Sequence, residues 1–102
     1  MRSPSRDREA AFIALCVNVA RGAKIAPLSQ AAANVLAAAA TITSSRFPVE
    51  SARMKRVSED YFAQHPEQAL PLPEMVRRGW VMGVPRFRDF LMREMRKESS
   101  YE

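Results

Sequence analysis

The sequence predicts an all-α fold, and three observations support this fold class. The chain has 102 residues, many of them alanine and only 3 of them glycine. Valine, isoleucine and threonine nowhere alternate with polar residues over a strand length, whereas apolar residues recur three and four positions apart, as on a helix face. The hydrophobic share of 47% and the charged share of 26% are typical of a globular chain. We therefore expect residues 1–102 to form one compact bundle of four to five helices.

The first two predicted helices occupy the N-terminal part of the chain. Pro4 suits a first helical turn and Gly22 suits a C-terminal cap, so the first helix is expected over about residues 5–21. Pro27 begins the second helix, which is expected to end at about Thr43. Alanine lets helices approach closely, so the alanine-rich helix 28–42 is expected to make a close helix–helix contact and is also a candidate oligomer contact. Its seam consists of Leu28, Ala32, Val35, Ala39 and Ile42.

The third predicted helix begins at Pro48 and stops before His65, where the stretch "HPEQALPLP" predicts a turn and an extended connector. Glu50 lies in its first turn, where the helix dipole favours an acid. Its apolar stripe consists of Met54, Val57, Tyr61 and Phe62. Together with stripes on the other helices it predicts a core that contains Leu15, Val35, Leu36, Val57, Phe62, Phe87 and Leu91.

The last two predicted helices meet in the stretch "RRGWVMGVPRFR", residues 77–88. Pro73 begins the fourth helix, which ends near Gly79 or Gly83, and Pro85 begins the fifth, which extends to about residue 98. Trp80 fits the corner between these two helices, and a base-stacking role for it stays open.

The fifth predicted helix has two separate stripes. Phe87, Leu91 and Met95 form an apolar stripe, with Phe90 beside it. Basic residues form a second stripe about 100° around the helix axis, at Arg86, Arg93 and Lys97. We therefore expect this helix to pack one face on the core and to leave a basic face outside.

Residue types that carry catalysis or bind metal ions are scarce. His65 is the only histidine and lies in the proline-rich turn, and the only cysteine, Cys16, lies in the apolar stripe of the first helix. One histidine and one cysteine cannot form a structural zinc site, and no glycine-rich phosphate loop is present. We therefore predict a non-enzymatic protein with no catalytic residue, cofactor or metal. The single cysteine and the absence of a long apolar run favour a cytoplasmic protein with no membrane partner.

Basic residues are concentrated in the C-terminal part of the chain. The net charge is +5, and residues 77–97 contain seven basic and two acidic residues. A localised basic patch is typical of a protein that binds nucleic acid through phosphate contacts. We predict a subunit of a nucleoprotein complex, or a factor associated with DNA or RNA. The predicted contact residues are Arg53, Lys55, Arg56, Arg78, Arg86, Arg93 and Lys97, with Trp80 as a candidate for base stacking.

The same basic face is compatible with a second class of function. It can belong to a protein-interaction module, an adaptor or an inhibitor, that docks an acidic protein surface. Salt dependence separates the two classes, because binding to nucleic acid weakens log-linearly with salt for any sequence of similar length. Docking to a protein is instead specific to one partner.

One short segment at the start of the third predicted helix is similar to part of a known enzyme family. The stretch "RFPVESARMKR", residues 46–56, resembles a C-terminal segment of some nucleotide-sugar epimerases over about a tenth of the chain. The glycine-rich dinucleotide fingerprint of such enzymes is absent, so the resemblance carries no function.

Overall fold

A computed structural model gives the fold of the chain. It describes the backbone of residues 4–25, 28–71, 73, 74, 77 and 84–99, and the side chains of these residues except 4–8, 84, 85, 98 and 99. The helices are α1 (Pro4–Ala20), α2 (Gln30–Thr43), α3 (Pro48–Gln64) and α4 (Val84–Ser99), with a 3₁₀ helix at Pro66–Gln68. No strand occurs among the described residues. The predicted all-α fold is therefore confirmed.

The first helix ends at Ala20, and Gly22 caps its C-terminus as predicted. Gly22 has a φ of 80°, which favours glycine, and its amide donates to the carbonyl of Val19 at 3.0 Å. The amide of Ala23 donates to the carbonyl of Asn18, also at 3.0 Å. These two bonds form a Schellman cap, which satisfies carbonyls that the end of a helix leaves without partners.

The second helix begins later than predicted. Leu28 and Ser29 are not helical, and α2 starts at Gln30. Ser29 is the N-cap residue, with an extended backbone and a hydroxyl that accepts from the amide of Ala32 at 3.1 Å. The predicted start at Pro27 was wrong because this serine satisfies a free amide of the first turn, which fixes where the helix begins.

The third and last helices lie close to their predicted ranges. Pro48 occupies the first turn of α3, and the preceding Phe47 is its N-cap. The predicted fourth helix is described only in part: Pro73, Glu74 and Arg77 are helical, and the rest of its range lies outside the described residues.

The centre of the bundle is α2. Nine consecutive residues, Ala32–Ala40, are buried within the single chain, and α2 packs against α1, α3 and α4. The predicted close helix–helix contact of the alanine-rich helix thus lies inside the bundle. The oligomer contact through residues 28–42 stays a prediction.

Two buried serines join α3 to α2. The hydroxyl of Ser51 donates to the carbonyl of Ala40 at 2.6 Å, and that of Ser58 donates to the carbonyl of Ala33 at 2.9 Å. Ser51 and Ser58 are two turns apart on α3, as Ala33 and Ala40 are on α2, but in the opposite chain direction. The two helices are therefore antiparallel, and their backbones approach closely enough for a side-chain hydroxyl to reach the other main chain.

Two contacts fix the direction of α4 against α1. Near their N-terminal ends, Arg86 lies 3.6 Å from a carboxylate oxygen of Glu9. Near their C-terminal ends, Arg21 donates to the carbonyl of Met95 at 3.5 Å. The two helices therefore run in the same direction, and the outer face of α4 is held in place at both ends.

Most of the predicted core is confirmed. Val35, Leu36, Phe87 and Leu91 are almost completely buried, and Phe62 is 7% exposed. Two predicted core residues, Leu15 and Val57, are only half-buried at the edge of the core. On α3 the predicted Met54 and Phe62 are buried, and the other inward positions are held by Ser51 and Ser58.

Candidate nucleic-acid interface

The outer face of α4 carries a row of exposed cations. Phe87, Leu91 and Met95 are buried in the core, as predicted, whereas Arg86 and Arg93 are exposed. The remaining exposed cations of the helix are Arg88, Arg96 and Lys97. The structure therefore separates the two predicted stripes of this helix. Arg96 widens the basic face beyond the predicted set, whereas Arg88 lies about 200° around the helix axis from Arg86, on the other side of the apolar stripe.

Phe90 organises two of these arginines. This half-buried ring lies between the apolar and basic faces, with the guanidinium carbon of Arg93 at 5.0 Å and that of Arg86 at 5.7 Å from its centroid. A cation over an aromatic ring is attracted by the ring's quadrupole. The two arginines thus share one support, and their cationic groups lie at most 10.7 Å apart, the sum of those two distances. The sequence placed Phe90 beside the apolar stripe and did not predict this role.

Carboxylates lie next to both ends of the row. Lys97 pairs with Glu94 one turn earlier, at 3.2 Å, and both side chains are largely solvated. Arg86 faces Glu9 of α1, whose side chain is only 5% exposed. An exposed pair one turn apart holds its lysine weakly, so Lys97 can exchange this partner for another anion. The pair that Arg86 makes differs because its acid is buried.

The predicted cluster on α3 does not form a single basic surface. Arg53 donates to the carbonyl of Ala20, the last residue of α1, at 2.9 Å. Lys55 borders a groove between α2 and α3, and Arg56 is exposed. Arg53 thus supports the end of a helix, where carbonyls lack helical partners and the dipole favours a cation. This internal role was not predicted.

The end of α1 is a second meeting point of basic residues. Arg21 and Lys24 are exposed there, Arg53 reaches it from α3, and the hydrogen bond from Arg21 to Met95 connects it to α4. Sequence reasoning did not select Arg21 or Lys24 as contact residues. A signal was nevertheless present, because basic residues at a helix C-terminus interact favourably with free carbonyls.

A half-open groove of about 630 Å³ lies between α2 and α3. Ala37 and Ala40 form part of its floor, Lys55 and Glu59 are on its α3 side, and Leu70 lies in the connector. The buried serines that line it donate their protons to backbone carbonyls of α2. The hydroxyls of these two serines are thus engaged in holding the two helices together.

Two of the predicted contact residues lie where no geometry is described. Arg78 and Trp80 are outside the described residues. The phosphate-contact role predicted for Arg78 and the corner or stacking role predicted for Trp80 therefore stay predictions.

Residues with catalytic or metal-binding chemistry are engaged in local structure. His65 stacks on Tyr61 with ring centroids 4.3 Å apart, and its Nδ1 is 3.0 Å from the Tyr61 carbonyl. Cys16 is buried, and burial raises the pKa of its thiol to about 12. Within the described part of the chain, no group of three or more potential ligands is placed to hold a metal ion. None of the described helices has the length and apolar character needed to cross a membrane.

Comparison of the chain with protein families, with curated proteins and with solved structures found no match. The candidate interface therefore rests on its own geometry.

Proposed function

We propose that this protein is a small, non-enzymatic nucleic-acid-associated protein that contacts the phosphate backbone through the outer face of α4. The observation that carries the proposal is the separation of two faces on this helix. Phe87 and Leu91 are fully buried on one side, and five exposed cations lie on the remaining surface: Arg86, Arg88, Arg93, Arg96 and Lys97. Five cations against two described acids, Asp89 and Glu94, leave this surface with a net positive charge, and such a surface attracts a polyanion.

The arrangement of Phe90 supports contact with phosphates rather than with bases. Its ring is half-buried and already has the guanidinium groups of Arg86 and Arg93 over it. A base that stacked on the ring would compete with these guanidinium groups for it. Guanidinium groups held on a ring also lose less rotamer entropy on binding than free arginine side chains do. Contacts of this kind position a nucleic acid without reading its sequence.

If α4 makes only phosphate contacts, its binding should depend on salt but not on the nucleic-acid sequence. Affinity is expected to be similar for different sequences of equal length and to fall log-linearly with salt, because each phosphate contact releases counterions. The proposal therefore covers DNA and RNA alike, as a subunit of a nucleoprotein complex or as a factor that associates with either. A cytoplasmic setting belongs to the same proposal.

The test compares two double variants that remove the same net charge. Arg93→Gln with Lys97→Gln removes two cations from α4, whereas Arg46→Gln with Arg77→Gln removes two exposed cations that are not among the predicted contact residues. Binding to a fluorescent duplex of arbitrary sequence is measured over a range of salt concentrations. We expect the α4 variant to flatten the slope of log affinity against log salt by about two, and the control to change it by less than about half as much.

Two results would reject the proposal. One is equal loss of slope in both variants, because binding would then follow net charge rather than α4. The other is the absence of binding by the parent protein at low salt to duplex and to single strands. In that case the same cations are better explained as a docking surface for an acidic protein, which capture of a specific protein partner would identify.

A further inference from the structure

Glu9 is the one charged side chain that is buried among those the structure describes. It lies in α1 and is 4% exposed. Its Oε1 atom lies 3.6 Å from Nε of Arg86, which is half-exposed on α4. That distance is too long for a hydrogen bond, and no described donor makes one to this oxygen. Among the described residues, the carboxylate is therefore buried with one cation beside it, and its hydrogen bonding is incomplete.

Such a carboxylate requires its cation. Transfer of an ionised carboxylate from water into a protein interior is strongly unfavourable unless a neighbouring charge or several hydrogen bonds compensate it. Arg86 provides this compensation in the described structure, at ion-pair distance across the contact between α1 and α4. A phosphate that neutralised Arg86 from outside would weaken the compensation and leave Glu9 buried with a less favourable partner.

We infer that Glu9 is an internal anion that competes with phosphate for Arg86, so that Arg93 and Lys97 rather than Arg86 make the phosphate contacts of α4. The inference rests on the proposed function, because it assigns which cations of that face are available to the ligand. Arg86 and Glu9 together form a nearly neutral pair, and a neutral pair releases few counterions when a polyanion approaches. Arg93 has the same support from Phe90 but no described carboxylate partner at ion-pair distance.

The competition has a consequence for a protein without Glu9. In Glu9→Gln the charge of Arg86 is no longer balanced, although its position over Phe90 is still available. Arg86 should then act as an additional phosphate contact. The variant is expected to bind nucleic acid more tightly at low salt and to steepen the salt slope by up to about one.

The experiment uses a double-mutant cycle with two readouts. The proteins are the parent, Glu9→Gln, Arg86→Gln and the variant with both changes, and Arg93→Gln is the matched control for loss of an arginine from the Phe90 ring. The readouts are the melting temperature and the salt slope on a fluorescent duplex. Arg86→Gln should lower the melting temperature by roughly 5–10 °C, because it leaves Glu9 buried without its cation. It should change the slope little.

The remaining variants separate the two effects. Arg93→Gln should flatten the slope by about one with little change in melting temperature. The variant with both changes should recover part of the stability lost in Arg86→Gln, because it has no buried charge, and should return the slope to that of the parent. The inference is overturned if Arg86→Gln flattens the slope as much as Arg93→Gln does, or if Glu9→Gln leaves the slope unchanged.

Failure of the proposed function has a different signature. If the parent protein shows no salt-dependent binding, both the function and the competition for phosphate are rejected, while the melting temperatures still report the ion pair. If the parent binds and Arg93→Gln flattens its slope, the function stands, and the two Arg86 and Glu9 variants alone decide this inference.

Discussion

The contact between α2 and α3 provides the sharpest test of the fold, through Ser51. Its hydroxyl lies 2.6 Å from the carbonyl oxygen of Ala40, whereas a carbon atom approaches a carbonyl oxygen to about 3.3 Å at closest. A methyl group in place of this hydroxyl must therefore move away by about 0.7 Å. In a close-packed interior such a shift displaces the neighbouring helix.

Two substitutions at this position separate the lost hydrogen bond from the overpacking. Ser51→Ala removes only the bond, and we expect it to lower the free energy of unfolding by about 1–2 kcal/mol, because Ala40 lies in the last turn of α2, where carbonyls lack helical partners. Ser51→Val removes the bond and adds methyl groups, for a total of about 2–4 kcal/mol. The measurement is urea unfolding followed by circular dichroism.

The matched control is Ala52→Val, since this neighbouring residue of α3 is exposed. It introduces the same β-branched side chain and should lower stability only by the difference in helix propensity, about 0.5–0.7 kcal/mol. Equal stability of Ser51→Val and Ser51→Ala would show that α2 and α3 are not in close contact at this position, and the antiparallel pairing drawn from the two serines would be refuted.

Three further predictions test the core. Leu91→Ala should lower the free energy of unfolding by about 2–5 kcal/mol, because the side chain is completely buried; a loss below about 0.5 kcal/mol in the same urea titration would contradict the packing of α4. Ala39→Leu should lower the melting temperature or change the oligomeric state seen by size-exclusion chromatography, since Ala39 is also completely buried. Cys16 should resist iodoacetamide at pH 8 until the protein unfolds, because burial raises the pKa of its thiol to about 12. The folded state favours the neutral thiol, so its contribution to stability is complete below about pH 8.5 and is lost as the pH rises towards 12; rapid alkylation of the folded protein would contradict this.

The helical periodicity of the sequence predicted the elements well, and the helix starts less well. The apolar stripes of the first and last helices lie on the core as expected, because their residues are large and their neighbours are apolar. The start of α2 was predicted from Pro27 alone, whereas Ser29 caps the helix. The sequence contains both, and only the geometry of the Ser29 side chain distinguishes them.

The inward face of α3 was predicted only in part, for a physical reason: Met54 and Phe62 are buried as predicted, but two serines complete the face. Hydrophobicity favoured Val57 and Tyr61, which are only half-buried, over Ser51 and Ser58, which are buried. The helix that α3 contacts consists largely of alanine, so small residues give the closest approach and their hydroxyls are satisfied by carbonyls of α2. Which residues of α3 are buried at this contact therefore depends on the size of the side chains on α2. The hydrophobic pattern of α3 alone cannot predict this.

The candidate site was predictable as a face but not residue by residue. The spacing of Arg86, Arg93 and Lys97 indicated one exposed stripe, because helical periodicity alone fixes which residues share a face. It did not indicate that a carboxylate of α1 lies against Arg86, since Glu9 is distant in the sequence and meets Arg86 only through the parallel packing of α1 and α4.

Arg53 also has a partner that is distant in the sequence and that the spacing of basic residues did not indicate. Counted by charge, it is equivalent to Arg56, one turn further along α3, and both side chains are exposed. Arg53 nevertheless donates to the carbonyl of Ala20 at the end of α1, through a partly buried bond of 2.9 Å. Removal of a charged donor from such a carbonyl is expected to lower the free energy of unfolding by about 1–2 kcal/mol in Arg53→Gln.

Arg56→Gln is the control for this prediction and should stay within about 0.5 kcal/mol of the parent. If Arg53 acted only as a phosphate contact, as Arg56 is also predicted to do, the two variants would have equal stability and both would flatten the salt slope. We expect instead that Arg53→Gln lowers the free energy of unfolding, measured with urea, more than Arg56→Gln does. The salt slopes of the two variants should differ little. The net charge of a small helical domain therefore overstates what it offers a partner, because its helix ends and its buried acid each engage an arginine within the fold.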